Sequence, residues 1–158
     1  MKTPRIYVET SVFNFYFSEQ SEEKRLDTLK LFAEIEAGKY EPYTSDYVLQ
    51  ELKRADARKQ ALMIGLIEKY HINFLPINAE AEKLANIYVA QNIIPQKHLT
   101  DAQHIAMTTV SDLDFIVSYN FQHIVKRKTL LMTKAVNLQE GYREIGIFSP
   151  TEVIENEE

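Results

Sequence analysis

Cysteine is absent from the 158 residues, which excludes disulfides and every thiolate metal site. Glycine occurs only four times. Neither GxGxxG after the first strand-like run nor GxxxxGK[ST] is present, so the usual nucleotide-cradling loops are missing. No GxSxG elbow appears either, which removes the familiar serine hydrolase nucleophile. No apolar run approaches the ~20 residues that a membrane helix needs. Met1-Lys2-Thr3-Pro4 leads straight into a strand-like run, with no room for a signal peptide. The expectation is a cytoplasmic protein with no membrane partner. Positive charge is also in short supply. The formal net charge of −5 argues against a generally basic nucleic-acid binder. Glu152, Glu155, Glu157 and Glu158 crowd the C-terminus, however, and without those four charges the body carries only −1. Local charge clusters therefore say more than the total.

What is present is ordinary for a globular chain: 45% hydrophobic and 26% charged residues, long enough for one domain with a real core. Residues 1–150 are expected to form that domain, and 151–158 an acidic, solvated tail. Strand-like runs are Arg5–Val8, a very short Tyr43-Thr44, Ile72–Pro76, Asp114–Ser118 and Ile145–Phe148. Helical spacing separates them. Leu26, Leu29, Phe32 and Ala33 mark one helix, closed by Gly38; Val48, Leu49 and Leu52 mark another after Ser45 or Asp46. Further helices run from about Arg58 to Lys69, from Asn78 through Tyr88, and from a Thr100 cap through Thr109. A polar helix precedes the last strand, and Ser149-Pro150 opens a short final one. Strands alternating with helices predict an α/β domain with a mostly parallel sheet. In such sheets ligands bind beyond the carboxyl ends of the strands, which singles out Glu9, Ser45-Asp46 and Ser118-Tyr119-Asn120.

With nucleotide loops and nucleophile elbows gone, carboxylates become the candidate chemistry. Glu9 ends the first strand, beside Thr10 or Ser11 as a helix cap, and a carboxylate there also suits the helix N-terminus. Glu51 lies on a helix, where pairing with Arg54 is the plainer role. Asp101 is a first-turn helix residue, stabilised by the dipole or aimed with Ile105 into a cleft. Asn120 follows a strand, as a turn residue or as a hydrogen-bonding group at a ligated water. The four histidines, His71, His98, His104 and His123, are expected to be structural or solvent-facing. His98 and His104 stand six residues apart, on nearly opposite helix faces, a poor geometry for one zinc ion.

The order of these segments carries more than any one of them. Ile6-Tyr7-Val8-Glu9-Thr10-Ser11-Val12, Tyr47-Val48-Leu49-Gln50-Glu51-Leu52, Asp101-Ala102-Gln103-His104-Ile105-Ala106 and Phe115-Ile116-Val117-Ser118-Tyr119-Asn120-Phe121 together resemble the PIN-domain family, from about Arg5 to Pro150. The resemblance implies a three-layer α/β/α sandwich around a parallel sheet of about five strands. It implies an endoribonuclease that cleaves single-stranded RNA by metal-activated water, with Mg2+ or Mn2+ as cofactor. It also implies a VapC-type toxin, paired with an antitoxin protein and forming a homodimer. By position, the family's acids fall on Glu9, Glu51 and Asp101 as metal ligands, with Asn120 at the fourth catalytic position. Two departures stand out: Glu9 where Asp is usual, and Asn120, which keeps the shape of Asp without its charge. A three-carboxylate site holding one metal is the consequence.

RNA is expected to run along Lys53-Arg54, Arg58-Lys59, Lys97 and Lys126-Arg127-Lys128, with Tyr16, Phe17, Tyr119 and Phe121 available for base stacking. An alternative reading is a catalytically weak or inactive PIN-like module that binds RNA or a protein partner. A third is a zinc hydrolase built from His98, Asp101 and His104.

Overall fold

A computed structural model describes residues 2–155. Five strands, β1 (Arg5–Val8), β2 (Glu41–Ser45), β3 (Asn73–Leu75), β4 (Phe115–Val117) and β5 (Gly146–Phe148), form one sheet in the order β3-β2-β1-β4-β5. Every pairing is parallel. The sheet is thus wholly rather than mostly parallel. Ile6, Tyr7 and Val8 are all completely buried. Because successive strand residues face opposite ways, both faces of β1 must be covered.

Among the described residues eight α-helices surround the sheet: α1 (Thr10–Tyr16), α2 (Glu22–Glu36), α3 (Asp46–Ala55), α4 (Ala57–Lys69), α5 (Ala79–Ala90), α6 (Leu99–Val110), α7 (Arg127–Gln139) and α8 (Pro150–Val153). Their starts follow the capping chemistry of the sequence. The side chains of Ser45, Asp56 and Asn78 accept backbone N–H groups at the heads of α3, α4 and α5. Gly38, at φ +83°, closes the turn after α2 in the left-handed region that favours glycine.

Two expected caps are corrected. Glu9 itself, not Thr10 or Ser11, caps α1 through its carboxylate. Thr100 lies inside α6, because a 3-10 turn over Gln96–His98 runs into the helix one residue earlier. The expected tail is docked as far as the structure describes it. Ser149 and Glu152 form a capping box, α8 packs on α2, Ile154 is buried, and Glu155 N–H donates to Glu34 Oε1 at 2.8 Å. Glu157 and Glu158 lie outside the described residues.

Gly146 opens the edge strand β5 for a packing reason. A Cβ there would lie 2.5 Å from Phe148 Cε2 and 2.9 Å from Phe115 Cβ. Phe115 Cβ is fixed to the backbone of β4 and cannot move aside. Gly146→Ala is therefore expected to destabilise the fold by about 1–3 kcal/mol, as overpacking does. Urea unfolding checks this; an unchanged midpoint would show that β5 shifts freely.

The sheet order places the site. From β1 the chain winds outward through β2 to β3, then returns to lay β4 and β5 on the other side of β1. The reversal leaves a crevice beyond the carboxyl ends of β1 and β4, the general ligand position in sheets of this kind.

Candidate active site

Glu9 and Ser118 sit side by side at that crevice, immediately after β1 and β4. Glu9 N–H extends the ladder to Val117 O at 3.2 Å. Its side chain is fixed by three donors: Ser11 N–H at 3.2 Å, Ser11 Oγ at 2.6 Å, and Ser118 Oγ. Ser11 Oγ in turn accepts Tyr119 N–H at 2.8 Å, tying the start of α1 to the segment after β4. Glu9 is 4% exposed. Its carboxylate is held in one orientation at low exposure, as a ligand must be.

Glu51 reaches the same place from α3. Thr10 Oγ1 and His104 Nε2 both bond to its Oε1, the latter at 3.0 Å. Burial alone would raise the Glu51 carboxyl, but the His104 hydrogen bond and charge, the Thr10 hydroxyl and Arg54 lower it below its ordinary value. His104 shifts the opposite way. Full burial would lower it, yet the Glu51 hydrogen bond and the charges of Glu9, Glu51 and Asp101 raise it. Behind His104, its Nδ1 meets Tyr7 Oη at 2.7 Å, and Tyr7 Oη meets Ser45 Oγ at 2.6 Å. A buried polar chain therefore runs from Glu51 through the sheet's central strand to the cap of α3.

Asp101, on the first turn of α6, completes the group from a third side. Burial pushes its carboxyl up to about 6, and the charges of Glu9 and Glu51 add to this against the opposing pull of His104 and an Asn120 hydrogen bond. Its close neighbours are His98 and His123, whose donor atoms lie within 4.8 Å of it and of each other. Glu9, Glu51 and His104 form a second cluster at the same spacing. The four singled-out residues are thus arranged as two adjoining sets: Glu9 and Glu51 with His104, and Asp101 with His98, His123 and, by hydrogen bond, Asn120. Asn120 Oδ1 also accepts His123 N–H at 2.9 Å, an Asx turn.

Of the histidines, expected to be structural or solvent-facing, His71 is exposed, whereas His104 is fully buried and bonds Glu51 and Tyr7. One signal could have found it: an imidazole three residues after Asp101, beside Ala102, Ile105 and Ala106, needs a buried partner. The zinc grouping of His98, Asp101 and His104 is not formed, since His104 turns to Glu51 while His98 stacks on His123 with ring centroids 4.0 Å apart. His123 Nε2 is buried without a hydrogen-bond partner.

The expected stacking aromatics also divide. Phe17 and Phe121 are 44% and 50% exposed, though Phe17 packs on Tyr16 and the Lys24 ammonium lies over Phe121. Tyr119 is buried, with its hydroxyl bonded to Thr28 Oγ1 and Lys24 O, and Tyr16 packs on Phe32 and Tyr70. A separate cleft of about 820 Å3, which none of the candidate site residues lines, is bordered by Phe17, Glu19, Leu52, Asp56, Arg58 and Lys59.

No family model matches the sequence. No curated protein matches it either. Solved structures do match, among them the crystal structure of VapC20 of Mycobacterium tuberculosis, described as a toxin that cleaves the sarcin–ricin loop. The two chains are 15% identical, with a TM-score of 0.55 over 89% of this chain and 98% of that one. At that identity the likeness is one of fold, and the chain has a PIN/VapC-type α/β fold with a five-stranded, all-parallel sheet.

Proposed function

We propose that this protein is a divalent-metal-dependent endoribonuclease acting on single-stranded RNA, with Glu9, Glu51 and Asp101 as the metal ligands. The observation that carries the reading is the pairing of Glu9 and Glu51 ligand atoms within 4.8 Å of each other beyond the carboxyl end of β1, with the Asp101 carboxyl beside them pushed up to about 6 by burial. Glu9 and Glu51 in one set, with Asp101 in the adjoining one, suit a hard, oxygen-seeking cation such as Mg2+ or Mn2+. When bound there, the cation supplies charge neutralisation at the scissile phosphate and an acidified water nucleophile.

The chain's own residues do the rest. Ser11 and Ser118 hold Glu9, and Thr10 and His104 hold Glu51, so both ligands are oriented before anything binds. Arg58 and Lys59 share a cleft with Phe17 and with the acidic Glu19 and Asp56, so the surface there offers RNA a base-stacking face and two cations amid mixed charge. The likeness of fold to VapC20 supports extending the reading to a toxin, held in check by an antitoxin protein and acting as a homodimer in the cytoplasm.

The test is cleavage of a labelled single-stranded RNA with and without Mn2+. Cleavage is expected only with metal, and Glu51→Gln, which keeps the side chain's shape, is expected to reduce it by roughly 100-fold or more. Metal-independent cleavage, or full activity in Glu51→Gln, would sink the assignment.

Asn120 favours the second reading, a PIN-like module of weak or no activity, because it brings no charge to the fourth position and its Oδ1 serves a turn. Calorimetry separates the two: failure to bind Mn2+ at millimolar concentration favours the module.

A further inference from the structure

His98, Asp101 and His123 come from three different places: the end of a 3-10 turn, the first turn of α6, and the irregular segment after β4. The fold nevertheless brings one donor atom of each within 4.8 Å of the others. The two imidazoles lie almost face to face, with centroids 4.0 Å apart and planes tilted by 32°. This is not a hydrophobic stack of convenience, since His123 Nε2 is buried and has no hydrogen-bond partner. Such an atom costs free energy unless something satisfies it. The segment carrying His123 is pinned on both sides: its N–H donates to Asn120 Oδ1 at 2.9 Å, and its carbonyl accepts Thr129 Oγ1 at 2.9 Å. The backbone that carries the ring is thus fixed on both sides.

We propose that His98, Asp101 and His123 form a second cation site, selective for a borderline transition metal of the zinc class and joined to the Glu9–Glu51 pocket through Asp101. Two imidazoles and one carboxylate are a donor set that Zn2+ accepts with a coordination position left open. Neutral imidazole nitrogen suits Zn2+, Co2+ or Ni2+, whereas Mg2+ takes oxygen. Lys97 and Lys126 act on His123 with positive charge, so attraction by charge alone is weak here. A metal that bonds strongly to uncharged nitrogen is favoured. Asp101 belongs to the histidine set, and the charges of Glu9 and Glu51 act on it from the adjoining one.

The inference shares Asp101 with the ribonuclease reading, but its test does not depend on cleavage. Full-length protein is titrated with Co2+, followed by visible absorption, and then challenged with Zn2+. One equivalent of Co2+ is expected to develop the absorption of an imidazole-ligated ion, and Zn2+ to displace it. His98→Ala and His123→Ala, both at partly exposed positions, are each expected to weaken binding roughly tenfold or more. Glu51→Gln is expected to keep the absorption while losing RNA cleavage. No Co2+ spectrum, a spectrum unchanged in both histidine variants, or one lost in Glu51→Gln would overturn the site. Histidine-dependent Co2+ binding by a protein that cleaves no RNA would overturn the ribonuclease reading alone.

Discussion

Asp101→Asn is expected to abolish metal-dependent RNA cleavage and, without metal, to raise the melting temperature. The two effects share one cause. In the fold Asp101 is 8% exposed, and burial together with Glu9 and Glu51 lifts its carboxyl from 3.8 to about 6. A group whose folded value is raised favours the folded state below its unfolded value and loses that contribution as pH climbs through the folded one. Metal-free protein should therefore lose stability between about pH 4 and 6 on account of Asp101, and carry the full cost at pH 7.5. At ~1.4 kcal/mol per pH unit, discounted for partial solvation, that cost is on the order of 2 kcal/mol. Asparagine has no charge to desolvate and keeps a hydrogen-bonding group beside Asn120. Its removal of the cost corresponds to a rise of roughly 4–8 °C for a domain of this size. Saturating metal should stabilise the wild type and leave the variant largely unmoved. Differential scanning fluorimetry at pH 5 and 7.5, with EDTA or Mn2+, reads all four states. A variant that melts no higher than wild type in EDTA at pH 7.5 would show that Asp101 is not held at a cost.

His104→Ala should be the most damaging single change at the site. His104 is completely buried, and it bonds Glu51 on one side and the equally buried Tyr7 on the other. Truncation leaves Tyr7 Oη with Ser45 alone and removes the positive partner of three nearby carboxylates. Breaking a buried charge pair from one end costs about 3–5 kcal/mol. The hole left by the ring adds to this. Equilibrium urea unfolding at pH 6 should show a loss in that range, with His104→Gln restoring part of it. Cleavage should fall too, because Glu51 would keep only Thr10 to orient it. A loss below about 1 kcal/mol would mean that water replaces the imidazole at little cost.

These residues also explain what could be read in advance. Strands β1 and β4 were legible because the residues that face both ways in them are apolar, and the alternation of strands with helices fixed a parallel sheet. The end of β1 therefore pointed to Glu9 from position alone. Glu51 had no such signal, because an acid on a helix surface looks the same whether it faces solvent or a crevice. Only the order of motifs singled it out. His104 and His123 were missed for opposite reasons. The apolar setting of His104 shows that it needs a buried partner, but that partner lies 53 residues away on α3 and no local pattern names it. His123 lies in an irregular segment, where neither helical nor strand periodicity reports direction. Tyr119 was misjudged as a stacking face because its destination, the Lys24–Thr28 turn of α2, is equally remote in sequence.

The return of β4 to the flank of β1 governs the timing of synthesis as well as geometry. Ile6 pairs with Phe115, across more than two thirds of the chain. A nascent polypeptide leaving the ribosome exposes Glu9 first and Glu51 next, but Ser118, which steadies Glu9, emerges only when most of the protein has been made. The central strand must wait, partnered on one side alone, until translation nears its end. Premature termination before β4 thus yields fragments that carry acids but no assembled crevice. Such a layout confines the assembled crevice to molecules whose translation has run almost to completion.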